Sequence, residues 1–86
     1  MTARYHVLCS DELMDSHPQW PSYLRPVEVS ALSYEPGMRW WLFEDDEAPG
    51  EFDGQKVELL FAARIDGDSK TAFVMERHVL GSTVKP

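Results

Sequence analysis

Five polar side chains in this sequence are candidates for catalysis: His6, Cys9, Asp11, His17 and His78. A Cys–His nucleophile pair requires contact between the two side chains. His6 and Cys9 lie three residues apart on a predicted strand, so they point to opposite faces. His78 is explained more simply as a cross-strand partner of Glu58. This pattern predicts a protein without enzymatic activity.

Sites for metals and phosphates are not indicated either. One cysteine and three scattered histidines form no zinc-binding spacing. The stretch Asp66–Ser69 resembles the start of a calcium loop, but Arg77 stands where the closing Glu is needed. The glycines occur singly and form no phosphate-binding motif. We therefore expect no cofactor and no bound metal.

An acidic segment, Glu44–Asp53, is the strongest charge feature of the sequence, and it contains no basic residue. The whole chain has a formal charge of −7, which disfavours direct binding to nucleic acid or to an anionic membrane. The segment would favour a basic partner protein, which it would attract electrostatically. The alternative is a solvated loop that only aids solubility.

An aromatic pair immediately precedes this acidic segment. Trp40 and Trp41 are adjacent on a predicted strand over Arg39–Asp45, so they point to opposite faces of a sheet. Either this strand is central and covered on both faces, or one aromatic face is open to a partner. The candidate partner-binding residues are Trp40, Trp41, Phe43, Glu44, Asp45, Asp46, Glu47, Glu51 and Asp53.

A β-hairpin over Lys56–Leu80, closed by Asp66–Ser69, is the element that must position these residues. Apolar residues occupy every second position along its first arm, which is typical of a half-buried strand. Two registers compete, and a slip of one residue exchanges the faces, although a bulge can combine them. A two-residue loop at Gly67–Asp68 pairs Ile65 with Lys70 and Phe61 with Val74. A packing register, which we favour for most of the hairpin, pairs Val57 with Val79, Phe61 with Met75, Ala63 with Phe73 and Glu58 with His78.

The other elements follow from local signals in chain order. Ser10 is a suitable N-cap for a short helix that must end before Pro18. The segment Pro18–Pro26 contains three prolines between large apolar side chains, and we expect it to cover the core or to act as a lid. The remaining predictions are a strand over Arg4–Cys9, a strand over Val27–Tyr34, a turn at Glu35–Met38 and a frayed tail at Gly81–Pro86.

Together these elements predict a mainly β (β-rich α+β) fold in one small domain over residues 1–86. It would be a small antiparallel sheet or a partly closed barrel of about five strands with one short helix. A hydrophobic content of 43% argues against disorder, and the single Cys9 excludes an internal disulfide. Neither a signal peptide nor a membrane span is recognisable, so we expect a cytoplasmic protein.

Three functional hypotheses follow from these patterns. The first is a non-enzymatic protein-binding module, an inhibitor or adaptor of the kind that phages and other mobile elements use as accessory factors. It would engage a partner protein that is basic or that binds nucleic acid, through the aromatic and acidic residues. The second is an assembly subunit that forms homo-oligomers through its sheet. The third is a small-molecule binder with a pocket under Pro18–Pro26.

Overall fold

One open five-stranded sheet forms the frame of the protein in its computed structural model, which describes residues 2–32, 35–67 and 69–82. The spatial order of the strands is β2-β3-β1-β4-β5. The mainly β class is confirmed, and the sheet is not closed into a barrel. The strands are β1 (Ala3–Ser10), β2 (Leu24–Val29), β3 (Met38–Asp45), β4 (Gln55–Asp66) and β5 (Ser69–Ser82).

The two neighbours of β1 make this sheet mixed. β1 pairs antiparallel with β3 along its whole length. On its other side it runs parallel to β4, with His6 opposite Lys56. The β2–β3 and β4–β5 pairings are antiparallel, as predicted. The β1–β4 pairing differs from the prediction because these two strands are joined by a long crossover, which permits a parallel arrangement.

The β4–β5 hairpin contains both predicted registers, one on each side of a bulge at Met75. Next to the turn, Phe61 faces Val74, as a two-residue loop requires. Further from the turn, Val57 faces Val79 in the packing register. The predicted bulge is therefore confirmed. The preference for the packing register over most of the hairpin is wrong, because it holds for residues 57–60 of β4 while residues 61–66 follow the turn.

The core lies on one face of the sheet. The short helix and the proline-rich segment cover that face through Met14, Trp20 and Tyr23. The opposite face is open and carries Leu8 and Leu60, which are 40% and 43% exposed. The buried apolar residues are Ala3, Tyr5, Val7, Cys9, Leu24, Phe43, Ala48, Val57 and Leu59.

The short helix α1 (Asp11–Asp15) begins at the predicted cap. The Oγ atom of Ser10 accepts a hydrogen bond from the Leu13 amide at 3.1 Å, which satisfies one of the free amides at the helix start. His17 follows the helix with a φ of +49°. A left-handed residue commonly closes a helix at this position, although it is usually glycine.

Three predicted boundaries are wrong. β2 begins at Leu24 and ends at Val29, so the end of the proline-rich segment is strand instead of loop. Pro26 is tolerated there because an edge strand has an unpaired side. Gly81 and Ser82 continue β5 and do not fray. Ser30, Ala31 and Leu32 lie outside β2, so the predicted end of that strand is also wrong. Residues 33–34, 68 and 83–86 of these predictions lie outside the described residues.

The turn predicted before β3 is confirmed. The Met38 amide donates to the Glu35 carbonyl at 3.0 Å, and Gly37 has a φ of +82°. A type II turn needs such a positive φ at its third residue, which glycine adopts without strain. This turn directs the chain into β3, the strand that carries both of the candidate tryptophans.

Candidate functional site

The two adjacent tryptophans lie on opposite faces of β3, as strand alternation requires. Trp41 is on the covered side, where it stands opposite Val7 of β1 and Val29 of β2. Trp40 is on the open side, opposite Leu8 of β1. The predicted aromatic patch is therefore divided between two surfaces, and only Trp40 belongs to the open one.

Phe43 lies inside the core and is fully buried. The ring of Trp20 meets it edge-on, with 5.2 Å between the ring centroids and an interplanar angle of 83°. Trp20 also meets Phe61 edge-on at 5.5 Å. Edge-to-face pairs of this kind add to the stabilisation from burial. The prediction that Phe43 contacts a partner is wrong because the fold leaves none of its ring exposed.

Asp45 is the second predicted contact residue that the fold buries. Its carboxylate accepts hydrogen bonds from the Tyr5 hydroxyl at 2.5 Å and from Arg77 Nε at 2.6 Å. The main-chain amides of Glu47 and Ala48 donate to its Oδ1 atom at 3.0 and 3.1 Å. A buried charge persists when it is paired and hydrogen-bonded in this way. Asp45 is therefore a structural acid, and its assignment to a binding surface is wrong.

The partners of Asp45 are held in fixed ionisation states. Burial raises the pKa of Tyr5, and the hydrogen bond to Asp45 and the charge of Asp45 raise it further. Burial by itself lowers the pKa of Arg77, but the hydrogen bond and charge of Asp45 outweigh it, so the net shift is upward. Arg77 also lies over the Tyr23 ring, 5.7 Å from its centroid. Tyr5 thus remains a neutral donor, and Arg77 remains the counterion of Asp45.

Arginines also form ion pairs with two other predicted contact residues, Glu44 and Asp46. Arg4 Nη2 lies 2.8 Å from Glu44 Oε2, and Arg25 Nε lies 3.3 Å from Glu44 Oε1. Arg25 Nη1 lies 3.1 Å from Asp46 Oδ2, and Thr2 donates to the other oxygen of Asp46. The pKa of Glu44 is lowered mainly by the Arg4 hydrogen bond, and that of Asp46 mainly by the Arg25 hydrogen bond. These ion pairs link β1, β2 and the end of β3.

The last three predicted acids, Glu47, Glu51 and Asp53, are exposed. The Asp53 carboxylate accepts a hydrogen bond from the Arg4 amide at 2.8 Å. No other described residue forms an ion pair with the side chain of Glu47 or Glu51. The acidic segment therefore presents less free negative charge than its sequence suggests, because much of that charge joins neighbouring strands.

The open face of the sheet is centred on Trp40. The Lys56 ammonium lies 5.5 Å from its ring centroid, which is the geometry of a cation–π contact. Leu8 and the half-buried Leu42 stand beside it. Burial and the positive charge of Lys56 lower the pKa of the neighbouring His6, so its imidazole is neutral at pH 7. The face thus combines an apolar and aromatic patch around Trp40 with charged side chains, among them Lys56, Arg4 and Glu44.

Two of the candidate catalytic side chains, Cys9 and His78, are buried or paired within the fold. Cys9 is buried, and burial raises its pKa to about 12, so the reactive thiolate is absent at neutral pH. His78 stands opposite Glu58, as predicted, but its Nε2 atom contacts Glu76 at 2.8 Å. Within the described ranges, no three acidic, histidine or cysteine side chains are grouped closely enough to hold a metal ion.

Sequence reasoning missed two members of the buried network, Tyr5 and Arg77. A signal for Arg77 was present, because the packing register places it opposite Leu59 on the apolar side of the hairpin. A charged residue on an apolar face requires a counterion within the core. The acidic segment supplies that counterion through Asp45, which nothing local distinguishes from the acids beside it.

Comparison with protein family models, curated proteins and solved structures finds no match to this chain. No helix in the described ranges has the length and apolar character needed to cross a membrane.

Proposed function

We propose that this chain is a non-enzymatic protein-binding module, an inhibitor or adaptor that docks the open face of its sheet onto a partner protein. One observation carries the proposal. The helix and the proline-rich segment cover one face of the sheet, whereas the other face presents Trp40 beside Leu8 and Leu42. Tryptophan at the centre of an apolar surface is a residue type that often dominates the free energy of protein association.

The partner surface that fits this chain is apolar where it meets Trp40 and basic where it meets the exposed acids beyond β3. Four exposed acids, Asp46, Glu47, Glu51 and Asp53, lie beyond the end of β3. Their charge and the formal charge of −7 favour a basic protein. Several acids of the segment already form ion pairs with arginines of the same chain. The electrostatic attraction of the partner should therefore raise the association rate more than the affinity.

Single substitutions on the two faces test the proposal. The chain is used as bait, the captured protein is identified, and its dissociation constant is then measured with both proteins purified. Trp40→Ala should weaken binding by about 30-fold, equivalent to a hot-spot loss of about 2 kcal/mol. Val29→Ala is the control, because Val29 is a 43% exposed apolar residue that lies on the other face, opposite Trp41.

Folding is checked for each variant by circular dichroism before binding is compared. A folded Trp40→Ala variant that binds the purified partner as tightly as the unchanged chain would refute the proposal. Raising the salt concentration should slow association because screening weakens the attraction of the exposed acids. An association rate that does not depend on salt would remove the steering role of Glu47 and Glu51.

Self-assembly through the outer edge of β5 is a second candidate. This strand runs from Ser69 to Ser82 at one edge of the sheet, and it carries exposed Met75, Val79 and Leu80. Near the turn this edge is already bridged, because Thr71 pairs with Gln19. Another copy would pair with the part of β5 beyond Thr71, and the two copies would meet about a two-fold axis. The negative charge of the chain opposes such an assembly.

Analytical ultracentrifugation of the purified chain over a wide concentration range separates the two candidates. Assembly through β5 predicts a dimer that Val79→Lys converts to monomer, while Trp40→Ala leaves it unchanged. A monomer at every concentration would eliminate self-assembly and leave the proposal for the open face as it stands.

A further inference from the structure

A cavity of about 340 Å³ lies under the proline-rich segment, on the covered side of the sheet. Two tryptophans, Trp20 and Trp41, line it together with Met14 and two prolines. Asp15 and His17 are the acidic residue and the histidine among its lining residues. The volume is at the small end of the ~300–1,000 Å³ that ligand pockets span. It therefore suits a small organic group better than a nucleotide.

The wall of this cavity favours a positive charge. No Lys or Arg is among the described residues that line it. The Asp15 carboxylate has no ion-pair partner among the described residues. Aromatic rings attract cations through their negative faces, and indole is the strongest of them. The formal charge of −7 on the whole chain also raises the local concentration of cations.

The scarcity of hydrogen-bond acceptors narrows the class of cation. A primary ammonium has three N–H donors, each of which needs an acceptor when it leaves water. Asp15 is the only acidic residue among the described residues that line the cavity, and most of the others are tryptophan, proline or methionine. A fully methylated ammonium has no N–H group, and its methyl groups gain from apolar contact. We propose that this cavity binds a methylated ammonium group, carried either by a free small molecule or by a trimethylated lysine.

A strained residue at the cavity supports a binding role. His17 has a φ of +49° where the chain leaves α1, and its amide donates to the Met14 carbonyl at 3.2 Å. Glycine is favoured at this position of a helix end because a Cβ atom is strained there. Retaining a histidine lowers stability, and strain of this kind is concentrated at functional sites. His17 thus lines the cavity at a position where glycine would be less strained.

Calorimetric titration with three probes measures the binding. The first probe is choline, and the second is 3,3-dimethylbutanol, which has the same shape without the charge. The third is a short peptide that carries trimethyllysine, compared with the same peptide carrying unmodified lysine. Choline or the trimethylated peptide should quench tryptophan fluorescence and bind. The neutral alcohol should bind about 5- to 30-fold more weakly than choline, the ratio expected for a partly desolvated cation–π contact.

Matched variants assign the binding to this cavity. Asp15→Asn should weaken binding of the cation several-fold, whereas Glu12→Gln, which removes the same charge from the same helix, should not. His17→Gly should raise the Tm and at the same time weaken binding of the cation. A residue with a purely structural role would not change stability and binding in opposite directions. Trp40→Ala, on the opposite face of the sheet, should bind the cation normally, so this inference and the proposed function fail or succeed separately.

The probes also identify the source of the ligand. A peptide that binds much more tightly than choline indicates a modified protein, and equal affinities indicate a free metabolite. The inference is overturned if no methylated probe binds, if the neutral alcohol binds as tightly as choline, or if Glu12→Gln weakens binding as much as Asp15→Asn does.

Discussion

Replacing Arg77 by methionine tests whether the buried network of Tyr5, Asp45 and Arg77 holds the fold together. The substitution keeps an unbranched side chain but removes the guanidinium that pairs with the fully buried Asp45. Removing one partner of a buried ion pair costs about 3–5 kcal/mol because the other charge stays buried. The side chain of Arg77 is 20% exposed, so we expect the lower end, about 3 kcal/mol.

This loss is large for a chain of 86 residues. Domains are stable by roughly 0.05–0.15 kcal/mol per residue, which gives about 4–13 kcal/mol here. Arg77→Met should therefore leave a folded but much weaker protein. Tyr5→Phe should cost less, about 1.5–3 kcal/mol, because it removes one hydrogen bond to a charged group and leaves the ion pair intact.

Urea unfolding followed by tryptophan fluorescence measures these losses, with the m-value as a check that the transition stays two-state. Arg25→Met is the matched control, because Arg25 makes its ion pairs on the exposed side of the sheet. Exposed pairs contribute little, so its effect should be much the smaller one. Equal losses for Arg77→Met and Arg25→Met would refute the reasoning.

The same network predicts a decline of stability in alkali. Burial first, and Asp45 second, raise the pKa of Tyr5 in the folded protein above its ordinary value of 10.0. The folded state therefore holds this proton more tightly than the unfolded state. The stabilisation is complete below pH 10 and is lost as the pH rises above it. Tyr5→Phe removes this proton, so the variant should lose less stability than the unchanged chain over the same alkaline range.

Three further outcomes are expected. Cys9 should react with iodoacetamide only very slowly at pH 8, and denaturant should release the reaction, because the thiol is buried and its pKa is raised to about 12. His17→Gly should stabilise the chain by about 1 kcal/mol in urea unfolding, since it relieves a left-handed backbone. Deleting Met75, the exposed extra residue of the bulge, should cost about 1 kcal/mol or less. Deleting His78 should cost more, because it puts the neighbouring inward residues out of phase.

The hairpin shows how far the sequence determines this fold. Its alternating apolar residues and its turn each specified a register, and both registers are present because each acts over a different part of the strands. The turn controls the pairs close to it, while burial of Val57 and Leu59 controls the pairs further away. Sequence patterns of this kind predict local pairing well. They do not predict where the change between registers occurs, since that depends on the rest of the core.

The candidate site was less predictable for a related reason. Alternation required Trp40 and Trp41 to face opposite ways, but only the covering segment decides which face becomes core. The acids of the segment present the same difficulty. Asp45 and Asp46 are adjacent and chemically identical, yet one is fully buried and the other is exposed. They differ because each one meets a different partner in the folded chain. The sequence alone does not show which residues the fold brings together.

The acidic segment connects the fold to the proposed function. Its paired acids bind Arg4, Arg25 and Arg77, which come from three different strands. The segment therefore stabilises the sheet before it can attract a partner. Unpaired charge remains at its exposed acids, so in the proposed function most of the affinity would come from apolar contact around Trp40. Because Trp40 lies on the open face and Trp41 lies on the covered face beside the cavity, a change at Trp40 tests the proposed partner binding without touching the residues that line the cavity.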